Sequence, residues 1–122
     1  MAKKSVVLTI SVWDKFVRLS LINKTFGVNG ELTFELSVQK NDHGISLFDP
    51  FEIIYYVRTG VQQLLLKHSV SISNICIAVM PGSILAWDTD TCSPLTECVL
   101  SNNSLPTQLF KEFKYFGLLI VR

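Results

Sequence analysis

The chain opens with strand-like alternation of apolar and polar residues. Residues 6–12 alternate with a period of two and are rich in β-branched side chains, which predicts a strand. A turn at Asp14-Lys15 leads to a second extended run, residues 16–22, and residues 32–38 form the clearest half-exposed strand. Asn29-Gly30 is the predicted turn before it, because both residues tolerate positive φ. The pattern predicts an antiparallel meander of three strands.

The period then changes to that of a helix. Asp49 is a good N-cap, Pro50 suits the first helical position, and Glu52 is placed to complete a capping box. Apolar residues recur at helical spacing up to about His68; they are Ile54, Val57, Val61, Leu64 and Leu65. These features predict a long amphipathic helix with one apolar stripe.

The second half predicts a strand pair and a second helix. Residues 75–79 alternate again, and turn formers at 88–93 join short extended runs at 84–87 and 95–100. Residues 107–116 place Leu109, Phe113 and Phe116 on one helical face, whereas residues 118–121 fit either a strand or a continuing helix. The order of elements is that of an α/β domain of the ribonuclease-H-like or actin-like class: a meander in a mixed sheet, a crossover helix, a strand pair and a C-terminal helix.

Composition narrows the classes of function. The 122 residues fit a single domain, residues 1–122, and a net charge of +1 lacks the broad field that draws proteins to nucleic acid or anionic membrane. No apolar segment approaches the roughly 20 residues of a spanning helix. Three cysteines without C-x-x-C spacing indicate reduced thiols rather than a disulfide framework or a zinc site. We therefore expect a cytoplasmic protein that binds neither nucleic acid nor membrane.

Four short segments together resemble the N-terminal part of the FGGY carbohydrate kinases, the family of glycerol kinase and xylulokinase. Residues 7–10 look like the first strand of that family, and Arg18 falls where its motif Asp-x-Gly-Thr-Thr-Ser-x-Arg ends. Asp49-Pro50-x-Glu52 resembles the family's His-Asp-Pro-x-Glu helix start. Trp87-Asp88 followed by Pro94-Leu95 is similar to its Trp-Asp…Pro-Leu hairpin. The resemblance spans roughly residues 6–117 and implies the actin-like ATPase fold, as a truncated N-terminal half domain.

The nucleotide side of this resemblance is degenerate. In the family, the leading Asp of the first motif helps to hold Mg²⁺, and the Gly and hydroxyl residues after it face the nucleotide phosphates. Here the phosphate loop reads Ser11, Trp13 and Asp14, with Arg18 retained at its end. Since phosphoryl transfer depends on positioning and charge neutralisation, these changes imply lost chemistry, with Asp14 as the one candidate for a relocated metal ligand.

The sugar side is degenerate as well. Met80, Pro81 and Gly82 stand where family members carry a polar Asn-Gln-Arg-Glu-like stretch, and Ser101-Asn102-Asn103 replaces the sugar-binding Trp-Gln-Asp. Only Asn103 retains a hydrogen-bond acceptor comparable to the family's carboxylate. The resemblance also implies that the catalytic base and the nucleotide-binding domain lie beyond these residues.

Three hypotheses follow. The leading one is a non-catalytic, carbohydrate-kinase-like structural or protein-interaction module without cofactor. The alternative is the N-terminal piece of an ATP- and Mg²⁺-dependent carbohydrate kinase that another segment completes. A third is an unrelated α/β binding domain. The high apolar content also predicts a homodimer or a protein partner, through the C-terminal residues Phe110, Phe113, Phe116, Leu118 and Leu119.

Overall fold

The computed structural model describes residues 3–42, 44–81 and 83–99. Its elements, in chain order, are strands β1 (Lys4–Trp13), β2 (Phe16–Ile22), β3 (Val28–Glu35), β4 (Gln39–Lys40) and β5 (Ser46–Phe48), helix α1 (Pro50–Lys67), and strands β6 (Val70–Val79) and β7 (Cys98–Val99). Each strand of the predicted meander and the predicted long helix is present.

A four-stranded mixed sheet organises the molecule. Its strand order is β3-β2-β1-β6. The first three strands pair antiparallel, and β6 returns through α1 to pair parallel with β1. Strands β4, β5 and β7 form a second, three-stranded sheet. The predicted class, a meander followed by a crossover helix in a mixed sheet, is confirmed.

The core lies between α1 and one face of the main sheet. The register places Ile10 of β1, Leu19 of β2 and Leu32 of β3 side by side on that face, and α1 packs over β2 and β3. Alternate positions such as Arg18 and Glu31 point to the opposite face, which α1 does not cover. In the main sheet, α1 therefore covers one face, and the other face is polar and turned outward.

The start of α1 is capped as predicted, but not by a capping box. Asp49 Oδ1 accepts a hydrogen bond from Phe51 N at 2.9 Å. Glu52 does not reach back to the cap, because its Oε1 accepts a hydrogen bond from Ser37 N at 2.6 Å. Glu52 thus fixes the loop after β3 against the helix start.

The buried stripe of α1 is offset from the predicted one. Val57, Val61 and Leu64 pack on the core as predicted, whereas Ile54 and Leu65 are exposed. The buried stripe also contains Ile53, Tyr56 and Gly60, each of which comes one residue before a predicted position. Aromatic Tyr56 completes the stripe by stacking on Phe34, with 4.8 Å between ring centroids.

The predicted turn at Asn29-Gly30 is wrong, because both residues belong to β3. The turn between β2 and β3 lies at residues 23–27. Asn23 N donates a hydrogen bond to Gly27 O at 2.9 Å, and Asn23 Oδ1 accepts from the backbone amides of Thr25 and Gly27. The Asn23 side chain therefore supplies the hydrogen-bond acceptor for two backbone amides of the turn. Gly30 has another role, since a Cβ there would lie 2.5 Å from His68 Nε2 at the end of α1.

The predicted strand pair after β6 is a hairpin held by two isolated bridges, Ile84 with Val99 and Trp87 with Pro94. Its turn is closed by a hydrogen bond from Asp88 N to Ser93 O at 2.8 Å. The predicted helix at 107–116 and the segment 118–121 lie outside the described residues. In the part of the chain that is described, no helix is both long and apolar enough to cross a membrane.

Candidate functional site

The site begins where β1 and β6 end together. These two strands are parallel, and their register pairs Val12 with Val79. Both segments that the sequence analysis singled out, the degenerate phosphate loop and the stretch from Met80, follow directly at this edge. Ligands of open α/β sheets bind outside the carboxyl ends of parallel strands, so this edge is the candidate site.

The turn between β1 and β2 forms one side of the edge. Asp14 lies in the left-handed region at φ 55°, which a residue other than glycine adopts uncommonly. Lys15 Nζ pairs with Glu35 Oε1 at 3.0 Å, and the Lys15 carbonyl accepts a hydrogen bond from Leu36 N. The hydrogen bond to Glu35 and the charge of that carboxylate raise the pKa of Lys15 above its ordinary value. The turn is thereby tied to the end of β3.

Met80, which follows β6, forms the other side of the edge and contacts the turn between β1 and β2. Asp14 N donates a hydrogen bond to Met80 Sδ at 3.0 Å, and Met80 N donates to Val12 O at 3.2 Å. Ser83 fixes the backbone of Met80, because Ser83 Oγ and Ser83 N both donate hydrogen bonds to Met80 O, at 2.7 and 3.2 Å. The backbone N–H of Asp14 is therefore bound to a thioether, which is a weak acceptor.

Arg18 lies on β2, on the outward face of the sheet, where it pairs across the hairpin with Ser11. Its Nε lies 3.4 Å from Thr33 Oγ1 and 3.9 Å from Glu31 Oε1, and Glu31 also accepts from Ser20 Oγ at 2.9 Å. The guanidinium is held in a polar network on the strands rather than at the turn.

Metal ligands are sparse in the described ranges. Ser11 offers no carboxylate, and Asp14 supplies the acidic side chain of the turn. Within residues 3–42, 44–81 and 83–99, no three His, Cys, Asp or Glu side chains are grouped so as to hold a metal ion.

A second feature joins the other two segments that carry the resemblance. The start of α1 at Asp49-Pro50 and the hairpin at Pro94-Leu95 line one open cleft of about 260 Å³. Phe51 contributes an exposed aromatic ring to it. The fold thus brings together Asp49-Pro50 and Pro94-Leu95, which lie more than 40 residues apart in the sequence.

The structure therefore unites part of the predicted site. Ser11, Trp13 and Asp14 come to the same edge as Met80 and Pro81, whereas Gly82, Asn103 and the predicted interface from Phe110 to Leu119 lie outside the described residues. Sequence reasoning missed the bond between Asp14 and Met80. No local pattern signals it, since the two residues are 66 positions apart and meet only because β1 and β6 are parallel.

Comparisons with known proteins agree with this architecture. No protein-family model matches the chain, and no curated protein matches it. Solved structures do match. They include xylulose kinase from Lactobacillus acidophilus, at 16% identity and a TM-score of 0.73 over 93% of this chain, and Plasmodium falciparum glycerol kinase with ADP, at 21% and 0.73 over 94%. Gluconate kinase from Lactobacillus acidophilus matches at 16% and 0.73 over 93%.

These matches establish the fold. The chain has the architecture of part of a carbohydrate kinase of the xylulose, glycerol and gluconate kinase type, as the resemblance implied. It spans about a quarter of the length of these structures, 23% of the xylulose kinase and 24% of the glycerol kinase.

Proposed function

We propose that this chain, which has a carbohydrate-kinase fold, is the first-domain scaffold of an ATP-dependent carbohydrate kinase that further polypeptide completes. The observation that carries the proposal is the fold itself, shared with three sugar or polyol kinases over at least 93% of the chain. In this role the edge formed by β1 and β6 faces the phosphate that is transferred, and the cleft beside Asp49 lies toward the sugar. The comparisons support this alternative better than the leading hypothesis of the sequence analysis.

In this proposal, the residues at the edge formed by β1 and β6 contribute part of the nucleotide site. Asp14 would be the residue to hold Mg²⁺ when ATP–Mg²⁺ is bound, and the backbone amides of the turn would supply hydrogen-bond donors to the phosphates. Lys15 lies partly exposed beside Glu35, and the hydrogen bond to that carboxylate and its charge raise the pKa of Lys15 above its ordinary value, which favours the charged form. The remaining groups of a complete site are supplied by the completing polypeptide.

The second candidate function is a non-catalytic structural or interaction module. The bond from Asp14 N to Met80 Sδ favours it, because the thioether occupies the donor that a phosphate would use. Ser11 favours it as well, since a hydroxyl there cannot replace a metal-binding carboxylate. In this role the chain needs no ATP, Mg²⁺ or polyol.

Titration calorimetry separates the two candidates. ATP–Mg²⁺, glycerol, xylulose and gluconate are titrated separately into the chain. The kinase proposal predicts saturable heat with at least one polyol or with ATP–Mg²⁺, and reduced nucleotide binding in Asp14→Asn. An absence of heat with every ligand, at concentrations where millimolar affinity is measurable, contradicts the kinase proposal and supports the module.

A further inference from the structure

The sulfur atom of Met80 joins two segments that are far apart in the chain. Met80 Sδ accepts a hydrogen bond from Asp14 N at 3.0 Å. Met80 is half-buried and follows directly on β6, so part of the residue is open to a small oxidant. Peroxides convert a methionine thioether to a sulfoxide, which is polar and can be reduced again by enzymes. The contact between Asp14 and Met80 therefore depends on an atom whose chemistry is reversible.

The backbone of Met80 is fixed on both sides of its side chain. Met80 N donates a hydrogen bond to Val12 O at 3.2 Å, and Met80 O accepts from Ser83 Oγ at 2.7 Å and from Ser83 N at 3.2 Å. A methionine side chain is unbranched and flexible. A change at the sulfur therefore moves the side chain and leaves the backbone in place.

The turn between β1 and β2 is also held by contacts that do not involve Met80. Trp13 pairs with Phe16 at the end of the hairpin. Lys15 is tied to the end of β3 by its ion pair with Glu35 and by the hydrogen bond from Leu36 N to Lys15 O. Loss of the contact to Met80 therefore acts on the amide of Asp14 and leaves the rest of the turn in place.

Oxidation of the thioether is a two-electron step. A lone pair of Met80 Sδ attacks one oxygen of hydrogen peroxide, an S–O bond forms as the O–O bond breaks, and the second oxygen leaves as water with both protons. Sulfur then carries a partial positive charge and repels the N–H of Asp14. The new oxygen needs about 2.9 Å of its own to a donor nitrogen, so it does not fit between Asp14 N and Sδ, which are 3.0 Å apart. The sulfoxide turns toward water instead.

We propose that Met80 is a site of reversible oxidation that controls the amide of Asp14. Conversion of Met80 to the sulfoxide releases the N–H of Asp14, and reduction of the sulfoxide restores the hydrogen bond to Sδ. The proposal concerns the turn itself and does not rest on the proposed function. If the edge binds phosphate, the oxidised chain offers it an amide that the reduced chain does not.

Hydrogen exchange of the Asp14 amide in the full ¹⁵N-labelled chain tests the proposal. The chain is treated with dilute hydrogen peroxide and then with a thiol reductant, which reverses the first oxidation products of cysteine but leaves methionine sulfoxide. Peptide mass spectrometry should find one added oxygen on Met80. Exchange at Asp14 should become roughly two- to tenfold faster, as expected for the loss of one weak hydrogen bond. A pair of methionine sulfoxide reductases, one for each epimer, should return the original rate.

Met80→Leu is the matched control, because leucine keeps an apolar side chain of similar size but has no sulfur. The variant retains Met1 and all three cysteines, so it reports any effect of peroxide elsewhere in the chain. Its Asp14 amide should exchange as fast as that of the oxidised chain, both before and after peroxide. Three results overturn the proposal: Met80 left unmodified by peroxide, Asp14 exchange that is unchanged or slower after oxidation, or an equal acceleration by peroxide in Met80→Leu.

Discussion

Gly60 in the middle of α1 provides a quantitative test of the packing. A Cβ added there would lie 2.8 Å from Leu19 Cδ1 and 3.0 Å from Phe34 Cε2, both closer than ordinary van der Waals contact. Leu19 is fully buried, and Phe34 is stacked on Tyr56, so neighbouring residues confine both side chains. Gly60→Ala must therefore strain the contact between α1 and the sheet.

Two effects of opposite sign decide the magnitude. Alanine raises helix propensity by about 1 kcal/mol over glycine. Overpacking of a filled core costs about 1–3 kcal/mol. The net expectation for Gly60→Ala is a loss of about 1 kcal/mol in the free energy of unfolding, which lowers the melting temperature of a chain of this size by roughly 3–5 °C.

Thermal unfolding followed by far-ultraviolet circular dichroism measures this loss, and Leu19→Ala supplies the control. In the Leu19→Ala background the nearest opposing atoms are gone, so Gly60→Ala should lose most of its cost, with a coupling free energy of about 1–2 kcal/mol. A higher melting temperature for Gly60→Ala in the otherwise unmodified chain would refute the close approach of α1 to β2 and β3.

Four further predictions address the cap of α1, the alkylation of the thiols, the pH dependence of stability, and the edge formed by β1 and β6. Asp49→Ala should cost about 1 kcal/mol by removing the acceptor for Phe51 N, whereas Asp49→Ser, which keeps an acceptor, should cost less in the same melts. Iodoacetamide near neutral pH should alkylate exposed Cys76 and Cys92 quickly and spare buried Cys98, whose pKa burial raises; equal rates for all three contradict the packing of β7. Because that raised pKa favours the neutral thiol in the folded state, stability should be unaffected below the ordinary value of 9.0 and fall as pH rises beyond it, a fall absent in Cys98→Ala. Under the kinase proposal, Met80→Ala should tighten ATP–Mg²⁺ binding measured by calorimetry by freeing Asp14 N, while Met80→Leu, which keeps the bulk, should tighten it less; unchanged affinity in both argues against Met80 as the group that closes the site.

Local chemistry accounts for the parts of the fold that the sequence predicted. Alternation predicted β1, the extended run after the turn at Asp14-Lys15 predicted β2, and Asp49-Pro50 predicted the start of α1. These signals depend on neighbouring residues alone. The turn near residue 30 was misplaced because Asn29-Gly30 is a favourable turn pair, yet Asn23 offers a side chain that bonds to two backbone amides of its own loop. Only the pairing of β2 with β3 decides whether the turn forms at Asn23 or at Asn29-Gly30.

Tertiary contacts determine what the sequence could not predict. Glu52 fits a capping box by spacing, but Ser37 N lies within its reach only once β3 has packed beside α1. The buried stripe of α1 was misassigned at Ile54 for the same reason, since the sheet decides which apolar residues are covered. At the candidate site, the departures from the family motif at Ser11 and Trp13 could be identified from the sequence. The hydrogen bond from Asp14 N to Met80 Sδ could not, because it depends on the parallel pairing of β1 and β6.

Backbone amide mapping by nuclear magnetic resonance tests the central claim most directly, because it detects binding even at millimolar affinity and locates it. The ¹⁵N-labelled chain is titrated with ATP–Mg²⁺ and, separately, with glycerol, xylulose and gluconate. The account of a kinase first-domain scaffold predicts saturable shifts of the Asp14, Lys15 and Met80 amides with ATP–Mg²⁺, and of amides around Phe51 and Leu95 with a polyol. Spectra that stay unchanged with every ligand, or shifts confined to the exposed side of α1, would contradict it.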